Sequence, residues 1–212
     1  MMSSPSKVLS ILSLFSRTTP IWQPDAICDV LNLTRATGYR YIKELVDFGL
    51  LKKVAAGKYA LGARIIELDY QLRQSDPVLL AADPVMYDIS SKTGKEVVLT
   101  SLVNRRQAID THRVHASNPL TTSVARSRGR QRPLLKGGAP KLLLSWLPRH
   151  QQKQVYQQYA VDIQQLQMGD SWEAFRSYLD NLKKVGFYLS WGELEPNLGA
   201  AVVPVFNPDG EQ

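Results

Sequence analysis

Between Ile21 and Gly62 the spacing of apolar, turn and capping residues leaves the chain few choices. IWQPDAICDVLNLTRATGYRYIKELVDFGLLKKVAAGKYALG reads as two short helices joined by a tight turn and followed by a small β-hairpin. Pro24 suits the first turn of a helix, where its missing N–H costs nothing, and Ala26, Ile27, Val30 and Leu31 supply an apolar face. Asn32 and Leu33 form the turn, and Thr34 is suited to cap the next helix. In that helix Ala36, Tyr39, Ile42, Leu45 and Val46 are expected to turn inward, with Arg35, Thr37, Arg40, Tyr41 and Lys43 at or near the outer side. Gly38 costs about 1 kcal/mol of helix stability relative to Ala, yet it permits close approach of a backbone or a neighbouring ring. Gly49 stops the helix, and Leu50 to Val54 and Lys58 to Leu61 are two extended runs around Ala55, Ala56 and Gly57.

Short hydroxyl and basic side chains in the first two turns of a helix can reach base edges and phosphates, and a helix N-terminus itself favours a phosphate. Arg35, Thr37, Arg40, Tyr41 and Lys43 are therefore the expected DNA-binding residues of the helix, with Lys52, Lys53 and Lys58 on the hairpin. The hairpin reads as a wing whose lysines suit the phosphate backbone or the adjacent minor groove. An ordinary three-helix core with a polar outer face is the competing reading, and it leaves the basic hairpin unexplained. Ahead of the segment, Met1 to Ser6 read as a frayed tail. Val8, Leu9, Ile11, Leu12 and Phe15 then share one side of a helix that leaves Lys7 and Ser10 to solvent and ends at Pro20.

Charge agrees with an anionic partner without naming it. There are 26 Lys and Arg against 19 Asp and Glu, a net +7. Through Arg73 the count is ten basic and six acidic residues, or +4, which leaves sixteen and thirteen, or +3, for the longer remainder. With 212 residues, 44% of them hydrophobic, the chain can form one compact domain or two small ones. Cys28 is the single cysteine, so an internal disulfide and a thiolate metal cluster are both excluded, which fits a reducing, cytoplasmic location. The run Val8 to Phe15 is broken by Ser10 and Ser13 and lacks a cleavage site; it reads as an amphipathic helix and not a signal peptide. No window approaches the length of a membrane span.

After Gly62 the stretch Ala63 to Arg73 reads as a helix with Ile65, Ile66, Leu68, Asp69 and Leu72 on an imperfect apolar face, linking two domains. Pro77 opens another helix running through Lys92, with Val78, Leu79, Ala82, Val85, Met86 and Ile89 on its apolar side. The pair is expected to serve either as a dimer contact or as packing within one subunit. Val97 to Val103 and Gln107 to Val114 read as strands about a turn at Arg105 and Arg106. His112 and His115 are three apart on a strand, so they point to opposite faces, and no ligand set forms around them. Arg126, Arg128, Arg130 and Arg132 suit either an anion-binding surface or a solvated loop.

PLLKGGAPKLLLSWLP, from Pro133 to Pro148, starts with a glycine pair and continues into a short apolar helix. The backbone N–H groups near Gly137, Gly138 and Ala139 are placed either to hold a carboxylate in an open cavity or to let the helix approach a sheet. Gln151 to Leu166 and Trp172 to Val185 are further helices, the second carrying Phe175, Leu179 and Leu182. YLSWGE, ELEPN and GAAVVPVF follow as strand, loop and strand, and Asn207, Pro208, Asp209 and Gly210 are strong turn residues. No return strand follows that turn, so a C-terminal portion of the domain is expected to be missing. Ser190 with Glu193, and His112 or His150, provide no nucleophile elbow and no triad spacing, so no catalytic residue and no cofactor is expected.

These residues resemble the IclR family of bacterial transcription regulators. The likeness rests on Thr37, Tyr39, Arg40, Leu45, Gly49 and the Tyr59, Leu61, Gly62 ending of the wing. It continues through Pro133 and Leu134, Gly138 and Lys141, then Gly186, Ser190, Gly192, Glu193 and Gly199 through Pro204, Val205 and Phe206. The resemblance implies an α+β chain: a winged helix-turn-helix domain at 1–62, a linker helix at 63–75, and a GAF-like α/β effector domain at 76–212 with a mainly antiparallel sheet, truncated at its C-terminus. It implies a homodimer or homotetramer on a double-stranded DNA operator, modulated by a small organic acid near Gly137, Gly138, Ala139, Trp191 and Glu193. A protein-interaction member that keeps the fold without regulated DNA binding is the alternative. The family's common histidine after the proline-leucine pair is Leu135 here, and its threonine-alanine step is the Gly137 and Gly138 pair, so the effector does not carry over from the family.

Overall fold

The computed structural model describes residues 3–103, 107–115 and 128–206. Arg105, Arg106, Arg126 and the turn residues Asn207, Pro208, Asp209 and Gly210 lie outside them. The chain divides into two compact units, with the boundary between Leu80 and Ala81.

The first unit opens with three helices and a hairpin. α1 spans Ser4–Leu12, with the Ser3 hydroxyl accepting from the Ser6 amide, so residues expected to fray are helical. Ile11 is buried, whereas Leu9 faces solvent, against its expected inward place. α2 spans Pro24–Val30, and α3 spans Arg35–Asp47. Asn32 takes the left-handed conformation in the turn between them, a backbone state Asn tolerates because its side chain can bond locally. Thr34 caps α3 as expected, its Oγ1 accepting from the Thr37 amide at 3.3 Å. β1 (Leu51–Ala55) and β2 (Lys58–Leu61) form an antiparallel hairpin. Trp22 adds a bridge to it, exchanging both backbone hydrogen bonds with Tyr59 at 2.9 Å. Ile11, Ile27, Ile42, Leu45 and Leu51 close the core under these elements.

α4 (Arg64–Ser75) buries none of its residues; Ile66, Leu68, Tyr70 and Leu72 remain exposed. α5 (Pro77–Thr93) begins under the Asp76 carboxylate, whose Oδ1 accepts from the amides of Val78 and Leu79 at 3.0 and 3.2 Å. It buries Leu79 and Met86, while Val85 and Ile89, expected inward, are exposed.

The second unit is mixed α/β with antiparallel sheets. β3 (Val97–Val103), β4 (Gln107–Val114) and β5 (Gln131–Arg132) make one sheet in that order. α6 (Gly138–Trp146), α7 (Arg149–Gln165) and α8 (Trp172–Val185) follow. β6 (Tyr188–Trp191) and β7 (Gly199–Val202) form a two-stranded antiparallel ribbon. α8 is framed by local signals: the Ser171 hydroxyl accepts from the Ala174 amide at 3.2 Å, and Gly186 ends the helix at φ 76°. Phe175, Leu179 and Leu182 are buried as expected, beside Leu134, Leu135, Leu142, Leu144, Val155 and Ile163. Leu135 is thus a buried core side chain.

Candidate functional site

α3 is held against α2 by a close approach at Gly38, where an added β-carbon would overlap the Cys28 sulfur. Burial, then the nearby charges of Asp25 and Asp29, push the Cys28 thiol above its ordinary pKa, which suits a packing residue. The inward face of α3 is Gly38, Tyr41, Ile42 and Leu45. Tyr41 is only 6% exposed, so its expected place on the outer face is wrong; Tyr39, expected inside, is 49% exposed, and Ala36 is exposed too. The reason is rotation about the axis: at 3.6 residues per turn Tyr41 lies about 40° from Leu45, and Tyr39 about 120°. That angular test, applied around Gly38, would have found Tyr39 from sequence.

The outer face presents Arg35, Arg40 and Lys43 exposed and Thr37 partly exposed. Arg35 Nε sits 3.2 Å from Asp25 Oδ1 across the helix-turn-helix, an ion pair that orients its guanidinium. The Arg40 guanidinium lies 5.4 Å from the centre of the Tyr41 ring. Lys52, Lys53 and Lys58 are exposed on the hairpin. A further open groove of about 750 Å³ lies between the C-terminal end of α3 and α4, with Phe48, Ile66 and Tyr70 on its walls.

The glycine pair of the second unit opens α6. Gly137, at φ 82°, donates its N–H to Glu193 Oε2 at 3.1 Å. Lys141 Nζ reaches the same oxygen at 2.5 Å and donates to the Tyr188 hydroxyl at 3.2 Å, which in turn donates to Glu193 Oε1 at 2.8 Å. Three donors thus converge on one carboxylate, and it belongs to the chain itself. Burial alone would raise the Glu193 carboxyl, but the Lys141 and Tyr188 hydrogen bonds, the Lys141 charge and the Gly137 amide together hold it below its ordinary pKa. Burial raises Tyr188, helped by its bond to Glu193, and raises Tyr178 further, so both phenols stay protonated donors at neutral pH.

Gly138 also serves the second expected role: a β-carbon there would press on Val202 and Tyr188, so α6 meets the ribbon through it. Ala139 is partly buried beside it. Trp191 does not join this cluster. Alternation along β6 turns it to the face opposite Tyr188, where it is 75% exposed and lies across Gly199.

The arginine series divides. Arg132 is taken by Asp110, and the Arg128 guanidinium donates to the Thr111 carbonyl oxygen, so neither is a spare anion-binding group. His112 and His115 each lie against a carboxylate, Asp83 at 2.6 Å and Glu96 at 3.2 Å. Among the described residues no group of three or more metal-ligating side chains forms, and no helix is long and apolar enough to cross a membrane.

A capped helix with a basic outer face, set on a helix-turn-helix and followed by a second α/β unit, defines a DNA-binding regulator. Residues 4–55 match the model of the IclR helix-turn-helix domain, and residues 71–212 match that of the bacterial transcriptional regulator IclR C-terminal domain. The chain belongs to the IclR family of DNA-binding transcriptional regulators, which are not enzymes. It is 23% identical over 202 residues to the transcriptional regulator KipR of Bacillus subtilis, covering 95% of this chain and 79% of that protein. Against KdgR of Escherichia coli it is 25% identical over 209 residues, covering 98% and 78%. An IclR family regulator from Brucella abortus shares the fold at a TM-score of 0.79 with 19% identity, over 98% of this chain and 78% of that one. An IclR homolog from Microbacterium hydrocarbonoxydans, complexed with 4-hydroxybenzoate, gives 0.68 with 20% identity over 99% and 85%.

Proposed function

We propose that the protein is a cytoplasmic, dimeric winged helix-turn-helix regulator whose GAF-like second domain responds to a small organic acid. The observation that carries the DNA reading is the set of exposed basic side chains in one unit: Arg35, Arg40 and Lys43 on α3, beside the partly exposed Thr37, with Lys52, Lys53 and Lys58 on the hairpin. α3 enters the major groove by its N-terminal turns, and the hairpin, as the wing, contacts phosphates. A dimer sets two such helices about 34 Å apart, or a multiple of that, on a near-palindromic operator. The uncovered apolar side chains of α4 and its groove support self-association, which buries Ile66 and Tyr70.

The acid reading is supported by the donors at the start of α6, whose geometry suits a carboxylate, and by the carboxylic acid bound to the Microbacterium homolog. An acid alters DNA affinity only by binding differently to the DNA-competent and incompetent arrangements. Footprinting of the operator with Arg40→Ala tests the helix assignment, and undiminished protection would remove Arg40 from it. Calorimetric titration with small aliphatic and aromatic acids tests the effector. No heat, no thermal shift and no operator release across that panel counts against an acid.

A further inference from the structure

We propose that Glu193 is a built-in occupant of the carboxylate position on α6, and that an effector acid acts by taking its place. This rests on the acid-effector reading above and adds how the position is held when no effector is bound.

Lys141 is 6% exposed, and an ammonium so buried persists only when paired. Its ion-pair partner among the described residues is Glu193. That partner is not a core residue. It comes from the connection between β6 and β7, a solvent-facing turn closed by the Gly192 amide on the Leu198 carbonyl at 2.9 Å and the Leu198 amide on the Glu195 carbonyl at 3.0 Å. Leu194 leaves the same turn to lie over Gly137, where an added β-carbon would come 2.9 Å from its Cδ1. The turn is therefore a strap across the start of α6, fastened by one carboxylate and covered by one leucine.

The chemistry selects what can replace it. Gly137 and Lys141 address one oxygen and Tyr188 the other, a planar two-oxygen acceptor with a single negative charge. A small monocarboxylate presents the same acceptor and brings an apolar body to the space that Leu194 covers. Exchange of one carboxylate for another never leaves the Lys141 ammonium buried alone, whereas a neutral amide or a cation would. Displacement frees residues 192–198, and with them Trp191, two positions before Glu193.

Two measurements test this on the whole chain. Without ligand, hydrogen exchange of the amides of Gly137, residues 192–195, Asn197 and Leu198 should quicken at least about tenfold in Glu193→Gln, as one charge-assisted fastening is lost. Benzoate should bind Glu193→Gln about tenfold tighter than the wild type, the competitor having lost its charge. Benzamide should show no such gain, and Lys141→Met/Glu193→Gln, which removes both buried charges and guards against a folding defect, should lose it. Unchanged exchange in Glu193→Gln overturns the strap. Equal or weaker benzoate binding by Glu193→Gln overturns the competition, and if an acid still releases the wild type from its operator, the acid-effector reading stands without it. An absence of binding and of operator release by every acid removes both.

Discussion

A β-carbon at Gly38 would overlap the sulfur of Cys28, so α2 and α3 meet where one helix has no side chain and the other a small one. Gly38→Ala should therefore destabilise the first unit despite alanine's better helix propensity. Overlap with the sulfur puts overpacking here in the upper half of its usual range, about 2–3 kcal/mol; about 1 kcal/mol from propensity offsets it, so a net loss of about 1–2 kcal/mol is expected. Cys28→Ala/Gly38→Ala should recover most of it, because the sulfur's space then holds the new methyl. Urea unfolding of the wild type, Cys28→Ala, Gly38→Ala and the double variant measures the coupling, and a Gly38→Ala protein as stable as the wild type would mean that Cys28 turns aside freely.

The helix-turn-helix was legible because its determinants are local. Pro24 starts a helix, Thr34 caps one, and Gly49 ends one at φ 71°, each acting on neighbours within a turn. The face of α3 was less legible, since Tyr39 and Tyr41 are both amphipathic and the choice between them depends on where Gly38 meets α2.

In the proposed wing, the hairpin lysines contribute charge and not sequence recognition. Lys52→Ala/Lys53→Ala/Lys58→Ala should lower the slope of log affinity against log salt by about three, one for each phosphate no longer neutralised. The ratio of operator to unrelated DNA should change little, in contrast to Arg40→Ala. Fluorescence anisotropy over a salt series reads both quantities. An unaltered slope would place the hairpin away from DNA.

Glu193 should give stability a dependence on acid. Its folded pKa lies below the ordinary carboxylate value, about 4.3 unfolded. Its contribution is thus complete above that value and is lost as pH falls through the folded one. The stability difference between the wild type and Glu193→Gln should hold steady from about pH 6 to about pH 5 and then shrink below about pH 4. Urea midpoints across that range test it; a difference that grows in acid would reverse the sign of the shift.

The second unit was only partly legible, and distance along the chain is the reason. Strand and helix limits there follow local pattern, and Val97–Val103, Gln107–Val114 and Trp172–Val185 fall where periodicity puts them. The glycine pair at 137 and 138 signalled a carboxylate position, but Glu193 reaches it from 56 residues away. Nothing in the spacing foretells such a return, and the same holds for Arg132, which meets Asp110 across 22 residues.

That last pair can be tested against its rival role as an anion-binding surface. Asp110 is fully buried and accepts from Arg132 Nε at 3.0 Å on both oxygens, from Arg132 Nη2 at 2.6 Å and from Thr100 Oγ1 at 3.0 Å, with Arg113 Nη2 at 3.2 Å. One carboxylate therefore ties β3, β4 and β5 together. Removing one partner of a buried pair costs about 3–5 kcal/mol, and Arg113 keeps Arg132→Met near the lower end of that range. Arg132→Lys should also be destabilised, because an ammonium cannot reproduce the forked contact of the guanidinium with both oxygens. Operator affinity of the folded protein should be unchanged in both variants, since the helix-turn-helix domain and the DNA contacts proposed on it lie in the first unit. Thermal unfolding with operator titration separates the two roles: a ligand-binding arginine would lose effector response at unchanged stability, and a structural one would lose stability first.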